Sequence, residues 1–134
     1  ADADADGLPD DWEKQFARST NGVQPLSVAY FDTFADPDGD GQNNWVEYIA
    51  GVNPIDPNSL FRFTSAQTLA VSNGVTIWWP GSLGRQYQIY SVNALTNTWI
   101  AYGSPIAGSN GIMNVLVPAT NRPNLFIKVD VKKN

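Results

Sequence analysis

The sequence predicts a mostly β protein in which a small helical module, residues 1–58, precedes an antiparallel β-sandwich, residues 59–134. Three observations lead to this prediction. The acidic residues are concentrated in the first half, an aspartate-rich segment occurs twice within that half, and apolar residues alternate with polar ones from residue 60 onward. With 134 residues, of which 43% are hydrophobic, the chain can bury a core.

The charge is distributed unevenly between the two halves. Residues 1–60 contain twelve acidic and two basic residues, a formal charge of −10, whereas residues 61–134 contain one acidic and six basic residues, +5. The acidic side chains of residues 1–60 repel one another, and we expect this segment to fold compactly only with bound cations. The chain has no Cys and no His, which excludes disulfides and the usual zinc and copper sites. Any metal is therefore expected to be a hard cation held by oxygen.

The aspartate-rich segment has the same spacing in both copies, DADADGLPDDWE at residues 2–13 and DPDGDGQNNWVE at residues 36–47. A calcium loop of the EF-hand kind needs side-chain oxygens at its first, third and fifth positions and glycine at the sixth. A backbone carbonyl at the seventh and a bidentate Glu at the twelfth complete the shell, and the ninth position often acts through water. Both copies fill every position. The sequence therefore predicts two Ca²⁺ sites, the first formed by Asp2, Asp4, Asp6, the Leu8 carbonyl, Asp10 and Glu13, and the second by Asp36, Asp38, Asp40, the Gln42 carbonyl, Asn44 and Glu47.

Two other interpretations of the acidic loops are open. The aspartates could form turns and helix caps in a solvated linker, although caps do not require Asp at three alternate positions followed by Glu at the twelfth. Magnesium fits less well than calcium, because the loops offer more protein oxygens than its octahedral shell accepts.

Each loop runs into a short predicted helix. Trp12 and Phe16 are spaced for one helical face after the first loop, as are Trp45 and Tyr48 after the second. Pro9 suits a helix start, and Gly51 is a plausible C-terminal stop. The turn-rich residues 53–58 mark the module boundary.

Residues 60–134 alternate at strand spacing and are rich in β-branched and aromatic side chains. The pattern predicts core positions at Trp79, Tyr87 and Trp99, and a hairpin turn at Asn73-Gly74. This many short strands favour a sandwich of the immunoglobulin or fibronectin type III kind, with a jelly roll as the alternative. The predicted strands are residues 60–64, 68–71, 75–79, 86–91, 99–102, 112–117 and 125–131.

The paired loops, the turn at residues 53–57 (NPIDP) and the following β region resemble a bacterial family. These are the thrombospondin type 3-like calcium repeats of secreted planctomycete and verrucomicrobial proteins, in which the repeat commonly precedes a small C-terminal β-sandwich. The matching stretches are residues 6–13 and 36–51, with looser likeness at 75–80, 84–87, 91–99 and 126–129. The resemblance implies that Asn53 and Asp56 lend oxygens to the second site, although their spacing also suits a plain turn.

The same resemblance implies an accessory part of a large secreted or cell-surface protein, without implying one activity. A dockerin-like protein-docking module is a further alternative, but dockerin loops usually lie closer together than these two. The predicted protein is a monomer without a membrane span, and its partners are a polysaccharide or the rest of a multidomain protein.

The residues needed for common catalytic sites are missing. The β region contains one acidic residue, Asp130, and so lacks the carboxylate pair of most glycoside hydrolases. Without His or Cys, the usual Ser-His-Asp and Cys-His arrangements are also excluded. Residues 81–84 (GSLG) lack the spacing of a nucleotide-binding loop. The sequence therefore predicts that the protein is not an enzyme.

The strand alternation also predicts a sugar-binding platform. If Ile77 and Trp79 point inward, Trp78 points outward, and Tyr90 does the same on a later strand. Trp78 and Tyr90, flanked by Gln88 and Arg85, would offer aromatic rings and polar groups to a polysaccharide. The alternative is that both rings seal the sandwich against the helices. The basic residues are too scattered to predict nucleic-acid binding.

Overall fold

The computed structural model describes residues 1–17, 31–68, 74–118 and 125–134. The protein is mostly β, as predicted, with antiparallel sheets and two short helices. The chain divides into two compact units, residues 1–60 and 61–134, and the predicted boundary lies two residues earlier. No helix within these described residues is long and apolar enough to cross a membrane.

The two helices are α1, Asp10–Ala17, and α2, Asn44–Ala50. The Pro9 carbonyl accepts hydrogen bonds from the backbone N–H groups of Trp12 and Glu13 at the start of α1. Helix α2 begins after Asn43, whose side-chain oxygen accepts a hydrogen bond from the Val46 N–H at 3.0 Å. It ends at Gly51, which has a φ of 78° and caps the last turn.

The first unit has a small aromatic core. Leu8 and Phe31 are fully buried, and the Trp12 ring lies between neighbours from three parts of the unit. Its centroid is 5.1 Å from that of Phe16, 6.4 Å from that of Phe31 and 5.5 Å from that of Tyr48. The contact between Trp12 and Tyr48 joins α1 to α2.

The second unit contains two three-stranded antiparallel sheets. The first has the strand order β1-β2-β5 and the second the order β4-β3-β6. The strands are β1 Thr64–Thr68, β2 Gly74–Gly81, β3 Arg85–Val92, β4 Ile100–Ala107, β5 Gly111–Pro118 and β6 Phe126–Lys133.

Two strand boundaries differ from the prediction. One strand, β1, lies across the predicted break between residues 60–64 and 68–71, and the turn residue Asn73 lies outside the described residues. Strand β4 continues to Ala107, although Gly103 and Pro105 predict a loop. A bulge explains this difference, because the register with β3 shifts between the pairs Tyr87↔Ile106 and Ile89↔Tyr102.

The two sheets share one apolar core. Trp79 and Tyr87 are 1% and 0% exposed, as predicted, and their ring centroids are 5.6 Å apart. Trp99 was predicted to join them but is only half-buried and lies outside the core cluster, with its ring centroid 5.6 Å from the Lys128 Nζ. Trp99 precedes β4, so strand alternation does not direct it inward. The central cluster is Ile77, Trp79, Tyr87, Ile89 and Val117.

Candidate metal centre

The two aspartate-rich loops have the same backbone geometry at the glycine turn. Asp2 Oδ2 accepts a hydrogen bond from the Gly7 N–H at 3.1 Å, and Asp36 Oδ2 accepts one from the Gly41 N–H at 3.0 Å. Gly7 and Gly41 have φ values of 100° and 96°, a region that favours glycine. The glycine at the sixth position therefore allows the first aspartate of each loop to bind the backbone across the turn.

The fifth-position aspartates repeat a second contact. Asp6 Oδ1 accepts a hydrogen bond from the Leu8 N–H at 2.8 Å, and Asp40 Oδ1 accepts one from the Gln42 N–H at 2.7 Å. These turns bring the carboxylates together. In each triad, Asp2, Asp4 and Asp6 or Asp36, Asp38 and Asp40, one oxygen from every residue lies within 4.8 Å of the others.

The twelfth-position glutamates are buried beside these aspartates. Glu13 is 2% exposed and Glu47 is 0% exposed. Glu13 Oε1 and both carboxylate oxygens of Glu47 accept no hydrogen bond from the described residues. A buried carboxylate without a partner is costly, so these oxygens are suited to a cation.

The electrostatics of both glutamates follow from this burial. Desolvation, followed by repulsion from Asp4 and Asp6, raises the pKa of Glu13 to about 7. Desolvation, followed by repulsion from Asp38 and Asp40, raises the pKa of Glu47 to about 8. Each glutamate is therefore repelled by the aspartates of its own loop. A bound divalent cation would offset both the desolvation of the glutamate and this repulsion.

The second loop has further buried oxygens. Asp38 Oδ2, Asp40 Oδ2 and Asn44 Oδ1 are buried and have no hydrogen-bond donor within residues 1–17, 31–68, 74–118 and 125–134. Desolvation is the main cause that raises the pKa of Asp38. Together with Glu47, these residues present several buried oxygens that no donor in the described part of the chain satisfies.

The ninth position differs between the loops. Asp10 Oδ1 accepts a hydrogen bond from the Ala3 N–H at 2.7 Å, and its other oxygen lies 3.5 Å from the Lys14 ammonium. The Ala3 hydrogen bond is the main cause that lowers the pKa of Asp10. Asn44 instead donates through Nδ2 to the Asp32 carbonyl at 2.9 Å. Asp10 is therefore engaged locally, whereas Asn44 is fixed by its amide group and its oxygen has no donor among the residues that the structure describes.

Sequence reasoning missed a link between the loops through Thr33. Asp6 Oδ2 accepts a hydrogen bond from the Thr33 N–H at 2.9 Å, and the Thr33 hydroxyl donates to the Asp6 carbonyl at 2.5 Å. The Thr33 carbonyl in turn accepts a hydrogen bond from the Trp45 N–H at 3.1 Å, within the helix that carries Glu47. Hydrogen bonds from Leu8 and Thr33 outweigh desolvation and lower the pKa of Asp6. Nothing in the repeat identifies Thr33, because it lies outside both loops.

Asn53 and Asp56 lie in a hydrogen-bonded turn. The Asn53 side-chain oxygen accepts a hydrogen bond from the Ile55 N–H at 3.1 Å. One Asp56 oxygen accepts hydrogen bonds from the backbone and side chain of Asn58 at 3.0 and 3.3 Å. These contacts give both residues a local structural role, and we leave them out of the proposed ligand set.

The residues predicted to bind sugar do not lie on one surface. Trp78 lies on β2 in the first sheet, whereas Gln88 and Tyr90 lie on β3 in the second. Because Trp79, Tyr87 and Ile89 fill the shared core, Trp78 and Tyr90 point away from each other on opposite outer faces. Arg85 donates from Nη1 to the Leu83 carbonyl at 3.2 Å. Strand alternation predicted that the rings point outward, but it does not tell which sheet each strand joins.

Comparisons of the chain with protein-family models, curated proteins and solved structures give no match.

Proposed function

We propose that the chain is a non-catalytic, calcium-stabilised accessory module of a secreted protein. Residues 1–60 would bind two Ca²⁺ ions, and residues 61–134 would form a rigid β unit that spaces or anchors its neighbours. The observation that carries this proposal is the pair of buried glutamates, Glu13 and Glu47, which lie beside two aspartate triads and have buried oxygens without a donor among the described residues. A cation with several oxygen ligands is the simplest group that satisfies both loops.

The residues of each loop fit a calcium ion. Asp2, Asp4, Asp6, the Leu8 carbonyl and Glu13 would hold the first ion. Asp36, Asp38, Asp40, the Gln42 carbonyl and Glu47 would hold the second, and Asp10 and Asn44 suit contributions through water. A bound ion supplies positive charge, which would allow the carboxylates to remain ionised and the loops to hold α1 and α2 in place.

The strand order supports an immunoglobulin- or fibronectin-like sandwich for the second unit. The first, second and fifth strands share one sheet, and the third strand lies between the fourth and sixth in the other. Assigning β1, β2 and β5 to strands A, B and E, and β4, β3 and β6 to strands C′, C and F, matches six strands of that architecture, and no described strand corresponds to G. The fold itself implies no chemistry.

An extracellular location fits the proposed ion dependence. Calcium modules outside cells work at dissociation constants of roughly 10⁻⁴ to 10⁻³ M, so modest sites remain occupied there. Binding to the folded state alone stabilises it by about 3 kcal/mol per site at a roughly hundredfold excess of calcium over Kd.

Thermal unfolding of the whole chain in calcium and in EDTA tests the proposal, together with calorimetric titration of the metal-free protein. We expect two bound Ca²⁺ per chain, a lower melting temperature in EDTA, and weaker stabilisation by Mg²⁺. A melting temperature that EDTA leaves unchanged, or a titration without heat, would contradict calcium binding.

A further inference from the structure

The outer face of the second sheet has a regular arrangement of polar side chains. Tyr87 and Ile89 of β3 point into the core, so the residues that alternate with them point outward. The register of β3 with β6 places an outward residue of one strand directly opposite an outward residue of the other. These cross-strand pairs are Gln86↔Lys132, Gln88↔Asp130 and Tyr90↔Lys128.

Strand β4 pairs with β3 on the side away from β6, and its small side chains leave space beside the outward residues of β3. Ala107 pairs with Gln86, and Ala101 pairs with Tyr90, so small side chains stand beside the long ones of β3. Between Ala101 and Ala107, the bulge of β4 places Pro105 at the groove, on the side of β3 away from β6. The result is a groove of approximately 310 Å³ lined by Gln86, Gln88, Tyr90, Pro105, Asp130, Val131 and Lys132.

One end of the groove combines an aromatic ring with positive charge. The Lys128 ammonium lies 4.6 Å from the centroid of the Tyr90 ring and 5.6 Å from that of Trp99. It also lies 3.4 Å from Asp130 Oδ2. Lys132 is exposed at the groove, and with Lys128 it outweighs the single carboxylate of Asp130. The groove therefore offers an aromatic surface beside a local positive charge.

The floor of the groove supplies a fixed amide. Gln88 Nε2 donates to the Ile89 carbonyl at 3.0 Å and to the Gly103 carbonyl of the bulge at 3.3 Å. Such contacts hold the side chain in one orientation before any ligand arrives, which reduces the entropy lost on binding. Amides beside an aromatic ring and ammonium groups suit a ligand with hydroxyls, a flat apolar ring face and a negative charge.

We propose that this groove binds an acidic polysaccharide, with a sugar ring against Tyr90 and its anionic group near Lys128 and Lys132. The groove volume lies at the low end of the range for ligand sites, roughly 300–1,000 Å³, which suits a short stretch of polymer. This binding goes beyond the proposed calcium function and does not depend on it, because every residue involved lies in the second unit.

The test is calorimetric titration of the whole chain, in millimolar calcium and physiological salt, with short oligogalacturonates as the uronate probe. Oligosaccharides from dextran serve as the neutral probe and those from chondroitin sulfate as the sulfated one. We expect measurable binding of an acidic probe and at least tenfold weaker binding of the neutral one. The ratio between the two acidic probes then identifies carboxylate or sulfate as the preferred group.

Three variants locate the binding. Tyr90→Ala and Lys132→Gln should each weaken binding of the acidic probe about tenfold or more, whereas Tyr90→Phe, which retains the ring, should stay within about threefold of the parent. Trp78→Ala is the matched control, since Trp78 is a half-buried aromatic residue on the outer face of the other sheet, and it should leave affinity unchanged. The melting temperature of each variant verifies that it folds.

Four results would overturn the proposal. The first is an absence of binding, and the second is equal binding of neutral and acidic probes. The third is binding that Tyr90→Ala leaves unchanged, which would indicate ion exchange or, if Trp78→Ala abolishes it, a site on the first sheet. The fourth is binding that Glu47→Gln abolishes and Tyr90→Ala does not, which would place the sugar at the calcium loops.

Discussion

The two units of the chain are stabilised by different means. In residues 61–134, Trp79, Tyr87 and their neighbours from both sheets form a hydrophobic core, and no charged residue is buried within the described part of this unit. Among residues 1–17 and 31–60, the buried hydrophobic residues are Leu8, Phe31 and Ala50, and Glu13 and Glu47 are buried with them. Burial of apolar area can stabilise the second unit alone, whereas the first also has to compensate buried negative charge. If the proposed calcium sites are correct, one chain contains a unit that folds on its apolar core and a unit that depends on bound cations.

The largest expected effect concerns the core of the second unit. Trp79→Ala should lower the free energy of unfolding by roughly 3–5 kcal/mol, because it removes the largest fully buried side chain. The loss should be the same in calcium and in EDTA, since the core contains no calcium ligand. Chemical denaturation in both buffers measures it, and a cost below about 1 kcal/mol would show that Trp79 is not a core residue.

Trp79→Phe tests separately how the volume and the buried indole N–H of Trp79 contribute to stability. The indole Nε1 of Trp79 is buried and has no acceptor among the parts of the chain that the structure describes. Phenylalanine loses volume but removes this unsatisfied donor, so the two effects partly offset each other. We expect Trp79→Phe to cost well under half as much as Trp79→Ala in the same denaturation experiment, and equal costs would contradict this account.

Glu47→Gln should change stability in opposite directions with and without calcium. With a pKa of about 8, Glu47 is mostly protonated near neutral pH in the metal-free fold, and holding that proton costs stability that glutamine avoids. The metal-free protein should therefore become more stable, whereas the second loop should bind calcium at least about tenfold more weakly. Melting temperatures in EDTA and calcium, with a calcium titration, measure both effects. Glu13→Gln is the matched variant, with a smaller expected gain in EDTA because only one of its oxygens is both buried and without a hydrogen-bond donor in the described structure. A loss of stability in EDTA for Glu47→Gln would contradict the proposal that the buried Glu47 carboxyl destabilises the metal-free protein.

The pH dependence of the first unit should also respond to calcium. The pKa values of Glu13 and Glu47 are raised from 4.5 to about 7 and about 8 in the folded state. Between those values and 4.5, the folded state holds protons that the unfolded state has lost, so metal-free stability should fall as pH rises from about 4.5 to 8. Calcium binding displaces these protons, so calcium affinity should rise across the same window.

Melting temperatures in EDTA and in saturating calcium compare the pH dependence of stability without and with the ion. The measured range, roughly pH 5 to 8.5, covers the raised pKa values of both glutamates. We expect a declining curve in EDTA and a flatter one in calcium. Parallel curves would contradict the assignment of Glu13 and Glu47 as calcium ligands.

The smallest expected effect concerns the link between the loops. Thr33→Val removes the hydroxyl that donates to the Asp6 carbonyl but retains the backbone N–H that donates to Asp6 Oδ2. We expect a loss of about 1 kcal/mol in the free energy of unfolding and weaker calcium binding by the first loop. Thr64→Val, at an exposed residue of β1, is the matched control and should stay within about 0.5 kcal/mol of the parent. Equal effects of the two variants would contradict a role for Thr33.

The sequence predicted those features that depend on neighbours along the chain. The glycine at the sixth loop position, the cap at Gly51 and the inward positions of Trp79 and Tyr87 all follow from local spacing. The contact of Thr33 with Asp6 could not be predicted, because it joins residues 27 positions apart, and each of its two hydrogen bonds pairs a backbone group with a polar side chain, a pairing that no repeat or spacing singles out. Likewise, the alternation of residues along the strands predicted that Trp78 points away from the core, but it could not predict that Trp78 and Tyr90 belong to different sheets.

Strand β4 shows how a local signal can mislead. Gly103, with a φ of 69°, and Pro105 are residues of turns, and the sequence therefore predicted a loop there. In the structure the bulge absorbs both residues while pairing with β3 continues on either side. Propensity alone does not distinguish a loop from a bulge, because both need the same unusual backbone conformations.

The same bulge has a consequence for how copies of this molecule meet in solution. Strand β4 lies at the edge of its sheet and exposes Ile100 and Tyr102, so a straight β4 would be a template for pairing with another chain. The bulge bends this edge, and Pro105 offers no N–H to an incoming strand. A feature that forms one wall of the groove therefore also favours colloidal stability, because it keeps sheets of neighbouring molecules from joining edge to edge.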